Sequence, residues 1–394
     1  MNEYQKITLK QGKEKSLHRR HPWVFSGAIA HKGGHIENGN IVEVCDHNGN
    51  YIATGHYSDS TIAVKLFSFR QCHVNAGFWL GKLKDAAEFR AALGLPNPQT
   101  NMFRLVNGEG DGLPGLVIDI FGSHAVLQFH SAGMYRIRET IVDSVKELLP
   151  WVSAFYFKSA MENTGREKSM DGWRFGAPAN KTVAVENGIS FVIDIEKGQK
   201  TGFFLDQRES RAILGEFAKG RKVLNTFSYS GGFSLYALKN GASHVDSVDI
   251  SAKAVALVEE NVRLLGGDFA RKHSSYCEDV FNFLEKIPAN QYDIIVLDPP
   301  AFAKHVKDRE QGLKGYRNIN RKAMEKIRRG GFLFTFSCSQ AVGRDDFQTA
   351  VFSAAALSGR EVRIVQRLQH APDHPVSIFH PEGEYLKGLL LEIR

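Results

Sequence analysis

Two reactive side chains follow apolar segments of this 394-residue sequence, at the point where each segment ends. Cys338 comes directly after FLFTFS (332–337), and Asp298 comes directly after YDIIVL (292–297). Near-continuous apolar runs of this kind are typical of strands in a sheet that is covered on both faces. A cysteine thiolate is a nucleophile, and the Asp298 carboxylate would lie beside whatever reacts there. The alternatives are a small core residue for Cys338 and a strand-ending turn for the Asp298-Pro299-Pro300 segment.

A glycine turn and two further carboxylates occupy similar positions earlier in the chain. The turn SYSGGF (228–233) follows KVLNTF, and Asp249 ends the next strand-like segment, eighteen residues after Gly231. A glycine turn followed by a strand-end acid at this distance can hold a nucleoside, with the acid accepting bonds from ribose hydroxyls. The turn does not fit GxGxxG, and its glycines can equally serve strand–helix packing. Asp279 can accept from an adenine amino group or cap the next helix.

The elements that must position these residues alternate between strand and helix from about residue 186. This alternation predicts a parallel sheet with crossover helices, and ligands collect beyond the carboxyl ends of the strands in such a sheet. The helix after Ser251 has the clearest pattern, with Ser251 as N-cap, one apolar stripe and a Gly266-Gly267 stop. The stripe consists of Val255, Val258, Val262 and Leu265.

Three domains are predicted from the changes in pattern along the chain. Residues 1–72 contain short alternating strands with Gly/Asn turns, which indicate a small β-rich domain. Residues 73–185 begin with a helical stretch, continue with strands and a second helix and end in a loop-rich stretch over 162–182, which indicates an α+β domain. Residues 186–394 form the third domain, of the α/β class.

Charge and composition limit the partners and the cellular location. The formal net charge is +7, and basic residues concentrate in residues 1–22 and 301–330. Such patches favour a polyanionic partner, although either can be a solvated helix face. No apolar run is long enough for a membrane helix, and no signal-peptide core is found at the N-terminus. The four cysteines are far apart, which disfavours disulfides and a zinc site and predicts a cytoplasmic protein.

Segments along nearly the whole chain resemble one family of enzymes. The sequence is similar to class I S-adenosylmethionine-dependent methyltransferases, and more narrowly to the bacterial large-subunit ribosomal RNA methyltransferases that modify carbon 5 of cytosine. The segments that carry the resemblance are KSLHRRHPWVFSGAI, KTGFFLDQRESR, NTFSYSGGFS, VDIS, DPPAF, FSCS and DHPVSIFHPEGEYLKG. The resemblance implies a PUA-like RNA-binding domain, a central α+β domain and a Rossmann-like methyltransferase domain with a parallel-type sheet. Relatives often have Lys after the DPP, where this chain has Ala301, with Lys304 three positions later.

With this resemblance, the residues are assigned to three roles. Cys338 adds to carbon 6 of cytosine, so that carbon 5 can take the methyl group, and Asp298 bonds to the N3/amino edge of the ring. The predicted S-adenosylmethionine-binding residues are Phe227, Ser228, Tyr229, Gly231, Asp249, Asp279, Asp206 and Arg208. The predicted RNA-binding residues are Lys15, Arg19, Arg20, Trp23 and Phe302, and the last is a stacking surface for an extruded base.

Several alternatives stay open at this stage. Asp206 and Arg208 can form surface salt bridges instead, and Asp373, His374 and Glu384 either line the base pocket or have structural roles. Amino-group methylation of adenine or guanine also uses an Asp-Pro-Pro-aromatic loop but needs no cysteine. A non-catalytic RNA-binding assembly factor is a further alternative. The expected substrate is free or incompletely assembled large-subunit RNA, and a homodimer is compatible with the sequence. The sequence does not identify the nucleotide or the base that removes the carbon-5 proton.

Overall fold

The computed structural model describes residues 4–159 and 171–394. These residues divide into two compact units. Unit 1 contains the described residues up to Ala184, together with Ile193–Phe203 and Pro372–Gly383. Unit 2 contains Val185–Val192, Phe204–Ala371 and Glu384–Arg394. The division into three domains ending at residues 72, 185 and 394 stays a prediction.

The N-terminal part of unit 1 is a sheet with the strand order β2-β6-β5-β4-β1-β3 and one short helix. Its elements are β1 (Gln5–Leu9), α1 (Lys15–His18), β2 (Trp23–Phe25), β3 (Ile29–Lys32), β4 (Ile41–Cys45), β5 (Tyr51–Tyr57) and β6 (Ile62–Ser68). Alternating apolar side chains such as Ile7, Val42 and Val64 meet in a closed core. β1 pairs with β4 in parallel and with β3 antiparallel.

A second sheet in unit 1 has the order β11-β10-β9-β8-β7 and packs against helices. Its elements are α2 (Ala76–Ala92), β7 (Met102–Asn107), β8 (Leu116–Phe121), β9 (His124–Phe129), α3 (Ala132–Arg136), α4 (Arg138–Leu148), β10 (Ala154–Ser159) and β11 (Gly172–Phe175). Part of the predicted loop-rich stretch, 162–170, lies outside the described residues. The remainder is not all loop, because it contains β11 and the start of β12 (Lys181–Glu186), which pairs with β13 (Ile189–Asp194).

The sheet of unit 2 confirms the α/β prediction and corrects one detail. Its strands are β14 (Lys222–Thr226), β15 (His244–Asp249), β16 (His273–Cys277), β17 (Tyr292–Leu297), β18 (Ile327–Ser337), β19 (Val362–Leu368) and β20 (Lys387–Ile393). Their order is β16-β15-β14-β17-β18-β20-β19. β20 runs antiparallel to both of its neighbours, so the sheet is mixed at this side and not parallel throughout. The strand order reverses between β14 and β17, where α/β sheets open a ligand crevice.

Helix α5 (Arg208–Ala218) precedes the first strand of this sheet. The helices that connect its strands are α6 (Gly232–Lys239), α7 (Ala252–Leu265), α8 (Val280–Lys286), α9 (Arg309–Lys326) and α10 (Arg344–Ser358). Ser251 caps α7 and Gly266 ends it, as predicted. The buried face of α7 is rotated from the predicted stripe, because Val255 is only half-buried whereas Ala254 and Asn261 are buried. Among the described residues, no helix is both long and apolar enough to cross a membrane.

Candidate functional site

The turn after β14 has an unusual backbone. Phe227 and Tyr229 have positive φ angles of 53° and 45°, which L-residues rarely adopt, and Gly231 has a φ of 80°. Backbone bonds hold the turn: the Ser228 N–H donates to the Val248 carbonyl at 3.1 Å, and the Gly231 N–H donates to the Ser228 carbonyl at 2.7 Å. Strained backbone of this kind persists only where its surroundings fix it, and it is concentrated at functional sites.

Asp249, at the end of β15, fixes the same turn through its side chain. Its Oδ2 accepts the N–H of Tyr229 at 3.0 Å, and its Oδ1 accepts the N–H of Ser251 at 2.9 Å. The carboxylate is half-buried at the carboxyl edge of the sheet. Both oxygens keep further lone pairs, so backbone binding is compatible with the predicted ribose contact.

Two structural alternatives left open by the sequence are also observed. Asp279 caps α8 by accepting the N–H of Asn282 at 3.0 Å. A Cβ at Gly231 would lie 3.0 Å from Cγ1 of Val258, so this glycine also permits close packing of the turn against α7. Neither contact removes Gly231 or Asp279 from the edge of the sheet where a cofactor would bind.

The residues at this edge fit a nucleoside cofactor. The Ser228 Oγ is buried and has no hydrogen-bond partner among the described residues. A buried hydroxyl without a partner costs free energy, so a polar group of a ligand would satisfy it. Asp249 and Asp279 add carboxylates that can accept from ribose hydroxyls and an amino group. The aromatic residues Phe227 and Tyr229 complete the predicted cofactor set at this turn.

Asp206 and Arg208 are buried, each only 4% exposed, and Arg208 forms an ion pair with the partly exposed Glu209. The Tyr385 hydroxyl donates to Oδ2 of Asp206, and the backbone carbonyl of Asp206 accepts the N–H of Ala371 at 2.8 Å. Nε of Arg208 donates to Oε1 of Glu209 at 3.3 Å. Contact of either residue with the methionine end of the cofactor stays a prediction.

A buried ion pair that sequence reasoning missed supports this segment. Arg211 donates from Nε and Nη2 to the two oxygens of Glu186, at 2.8 and 2.7 Å. The Tyr236 hydroxyl donates to the same carboxylate at 3.0 Å, and Arg211 Nη1 donates to the Phe204 carbonyl at 2.9 Å. Burial and the Glu186 charge raise the pKa of Tyr236. Arg211 thus connects helix α5 to Glu186 at the end of β12 and to Phe204 in the segment directly before α5.

Asp298 and Cys338 lie at the ends of two adjacent parallel strands. β17 and β18 pair with Leu297 opposite Thr335, so the loops that follow them leave the sheet side by side. The Cys338 Sγ lies 3.9 Å from the Pro299 carbonyl oxygen. Cys338 is half-buried, unlike a residue that fills the core. The predicted nucleophile and the predicted carboxylate are therefore brought together at one edge.

Gln207 supports Asp298 and was not singled out from the sequence. Its Nε2 donates to Oδ2 of Asp298 at 3.2 Å, and its side chain is 3% exposed. An amide donor bonded to one oxygen of a carboxyl group limits the rotation of that group. The one indication in the sequence that Gln207 belongs to the site is its position directly after Asp206, which was predicted to bind the cofactor.

Phe302 is packed on one side against helix α9. It is half-buried, its ring centroid lies 4.8 Å from that of Tyr316, and a Cβ at Gly315 would lie 3.0 Å from its Cδ2. Helix α9 therefore covers part of the ring. Lys304, which follows Ala301 in the same loop, is exposed. Stacking of Phe302 on a base stays a prediction.

Ser339, the residue after Cys338, is buried and bonds to the buried residue Lys387. Ser339 Oγ accepts the Ala303 N–H at 3.2 Å and lies 2.8 Å from the Tyr316 hydroxyl, which fastens the Asp-Pro-Pro loop to the end of β18. Lys387 Nζ donates to the Ser339 carbonyl at 2.6 Å. Lys387 lies within the DHPVSIFHPEGEYLKG segment, but nothing in the sequence alone distinguished it.

The predicted RNA-binding residues of unit 1 differ in how they are held. Lys15, Arg19 and Arg20 are exposed. Trp23 is half-buried, because its Nε1 donates to Oε1 of Glu109 at 2.8 Å and its ring centroid lies 4.4 Å from that of His380. Trp23 is thus anchored within unit 1. The neighbouring Phe25 is 47% exposed and is the more accessible aromatic there.

Asp373 and His374 contact each other within unit 1. Asp373 is fully buried in unit 1, where its Oδ2 accepts the Arg104 N–H at 2.9 Å and its Oδ1 lies 3.1 Å from Nδ1 of His374. Glu384 belongs to unit 2 and forms an ion pair with Arg344. The structural alternative accounts for Asp373.

Comparison with known proteins identifies the class. A family model described as S-adenosylmethionine-dependent methyltransferase matches residues 134–391, and a PUA-like domain model matches residues 7–69. A solved structure from Streptococcus mutans, described as a SAM-dependent methyltransferase, shares the fold with a TM-score of 0.84 over 98% of this chain and 99% of that chain, at 23% identity. Another solved methyltransferase structure, with the same TM-score, identity and coverage, was determined in complex with SAH.

Curated relatives are similar along nearly the full length. Ribosomal RNA large subunit methyltransferase I of Alteromonas mediterranea is 40% identical, with 98% of both chains covered. The protein of the same name from Klebsiella pneumoniae is 37% identical, with 99% of this chain and 98% of the relative covered. The chain belongs to the S-adenosylmethionine-dependent methyltransferases, in the family of ribosomal RNA large subunit methyltransferase I. Its cofactor is S-adenosylmethionine, as predicted.

Proposed function

We propose that this enzyme methylates carbon 5 of a cytosine in large-subunit ribosomal RNA and that Cys338 is the covalent nucleophile. The observation that carries the proposal is the position of two residues at one edge of the sheet. Asp298 follows strand β17, and the half-buried Cys338 follows the adjacent strand β18. The names of the relatives support ribosomal RNA as the substrate. Methylation of an amino group would leave Cys338 without a role at this edge.

Cytosine must be activated because its carbon 5 is a weak nucleophile. S-adenosylmethionine supplies an electrophilic methyl group when it is bound. The Cys338 thiolate forms a bond from Sγ to carbon 6, and the electron pair of the C5–C6 double bond then becomes available for carbon 5 to take the methyl group. A base, acting directly or through water, takes the carbon-5 proton. The electron pair of that C–H bond re-forms the C5–C6 double bond, and the Sγ–C6 bond breaks with its electron pair left on sulfur.

Asp298 stabilises the ring during this sequence. Addition of the thiolate places negative charge on the N3 side of cytosine, so a carboxyl group that shares a proton with this edge lowers the barrier. Gln207 keeps the carboxyl group oriented. The turn at Ser228 and the carboxylates of Asp249 and Asp279 would hold the nucleoside part of the cofactor.

The trapping of a covalent adduct tests the proposal. RNA that contains 5-fluorocytidine should form an adduct with the wild-type enzyme in the presence of S-adenosylmethionine, because fluorine cannot leave as a proton and elimination stops. Mass spectrometry should locate the adduct on the peptide with Cys338. Cys338→Ala should lose turnover and the adduct but retain cofactor binding.

Cys277 provides the matched control. It is exposed at the end of β16, so Cys277→Ala should still methylate RNA and still be trapped. An adduct at Cys277, or turnover by Cys338→Ala near the wild-type rate, would exclude the proposed nucleophile. Methylation without any adduct would indicate amino-group chemistry, and a wild-type protein that methylates no RNA would indicate an assembly factor.

The proposed chemistry limits the form of RNA that can be the substrate. The target base must leave its stack to reach Cys338, which favours free or incompletely assembled large-subunit RNA. Comparing methylation of naked RNA with that of assembled subunits tests this point. A homodimer and a cytoplasmic location stay predictions, which light scattering and cell fractionation can check.

A further inference from the structure

Lys387 is a charged residue in an enclosed position next to the proposed nucleophile. It begins β20 and pairs with Ser337 of β18, the residue before Cys338. Its side chain is 4% exposed, and its Nζ donates to the carbonyl oxygen of Ser339, the residue after Cys338, at 2.6 Å. A lysine is almost never buried without a partner, so this position requires an explanation.

The charges around Lys387 include a thiol and one ion pair. Burial lowers the pKa of Lys387 to about 8, while negative charge on Cys338 and Glu384 acts to raise it and Arg344 acts to lower it. Glu384 and Arg344 form an ion pair with each other, and their effects on the pKa of Lys387 have opposite directions. Tyr316 faces the same region from α9, and its pKa is raised, chiefly by burial. A lysine with a pKa of about 8 is mostly protonated at neutral pH.

We propose that Lys387 is a positioning residue that stabilises the thiolate form of Cys338. A buried ammonium group next to a cysteine favours the charged form of sulfur, and only that form is nucleophilic. The Sγ–H bond breaks with its electron pair left on sulfur, and the proton passes to solvent, which half-buried Cys338 can reach. The bond from Nζ to the Ser339 carbonyl holds the ammonium group in place. The use of this thiolate in methyl transfer rests on the proposed function, whereas its existence does not.

Alkylation of Cys338 as a function of pH, without RNA, tests the inference. The full-length enzyme is treated with iodoacetamide, and the rate at Cys338 is measured by mass spectrometry of its peptide. In the wild type, the rate should titrate with a pKa below about 8.5, the ordinary value of a free cysteine. Lys387→Met should raise that pKa by about one unit and slow the reaction at pH 7 about tenfold. Lys387→Arg retains a positive charge and should retain the lowered pKa.

Two controls separate this effect from a general change of the protein. Cys277 is alkylated in the same sample, and its rate should be the same in all variants. Lys304→Met removes an exposed lysine from the Asp-Pro-Pro loop and should leave the titration of Cys338 unchanged. Calorimetry with S-adenosylmethionine shows whether each variant is folded. If Lys387→Met does not fold, the wild-type and Lys387→Arg curves still show whether the pKa of Cys338 is lowered when a positive charge is present at position 387.

An ordinary thiol pKa in the wild type, or an unchanged pKa in folded Lys387→Met, would overturn the inference. The result is distinguishable from the test of the proposed function, which depends on the 5-fluorocytidine adduct. An adduct formed by a cysteine with an ordinary pKa would retain the proposed function and reject the role of Lys387. A lowered pKa without an adduct would retain the role of Lys387 and reject carbon-5 chemistry.

Discussion

The carboxylate of Asp249 holds Tyr229 in the left-handed region of backbone space. Its Oδ2 accepts the Tyr229 N–H at 3.0 Å, while Tyr229 has a φ of 45°. A residue predicted to bind the ribose of the cofactor thus also shapes the turn against which the cofactor would lie. Loss of this side chain should therefore remove a contact with the cofactor and also change the shape of the turn that binds it.

Asp249→Ala should weaken S-adenosylmethionine binding at least ~10-fold. The change removes one or two charge-assisted hydrogen bonds, each worth roughly 1.5–3 kcal/mol, and releases the strained turn. Titration calorimetry measures the affinity. Asp268→Ala is the matched control, because Asp268 is an exposed carboxylate in an i,i+3 surface pair with Arg271. Unchanged affinity in a folded Asp249→Ala protein would place the cofactor elsewhere.

Neutralisation of Lys15, Arg19 and Arg20 by glutamine should weaken RNA binding and flatten its dependence on salt. All three side chains are exposed, so they can pair with phosphates and release counterions. The slope of log affinity against log salt should change by about one unit for each phosphate that the variant no longer neutralises. Filter binding over a range of salt concentrations measures the slope. The cofactor affinity should not change, and a wild-type slope would show that these residues are only a solvated face.

Acidification should destabilise unit 1 through His56. Burial lowers the pKa of this histidine to about 3, and its ring lies 5.5 Å from that of Trp79 in a stacked arrangement. The unfolded chain binds the proton near pH 6.5, so the stability is complete above that pH and decreases as the pH falls toward 3. Between pH 6.5 and 5 the loss amounts to about 2 kcal/mol, at roughly 1.4 kcal/mol per pH unit.

His56→Phe should remove this part of the pH dependence. The Nδ1 atom of His56 has no hydrogen-bond partner among the described residues, so an apolar ring of similar shape costs little there. Urea unfolding at pH 7 and pH 5, followed by tryptophan fluorescence, measures the difference. All four tryptophans lie in unit 1, so the signal reports on that unit. Equal losses for the wild type and the variant would assign the acid sensitivity to other groups.

Local sequence patterns predicted the strand β17 and both ends of helix α7. The apolar run 292–297 is β17 as predicted, and Ser251 and Gly266 begin and end α7. These features depend on side-chain periodicity and on capping, which act over a few residues. The order of strands along the chain also placed Asp298 and Cys338 at one edge, because parallel strands end on the same side.

Contacts between distant segments were decided only by the tertiary structure. Gln207 reaches Asp298 across 91 positions, and Lys387 reaches Ser339 across 48. The second contact exists because β20 inserts antiparallel between β18 and β19, an arrangement that an apolar run does not encode. The anchoring of Trp23 by Glu109 and the rotation of the buried face of α7 have the same origin. Periodicity specifies which residues can be buried, whereas the packing partner fixes which of them are.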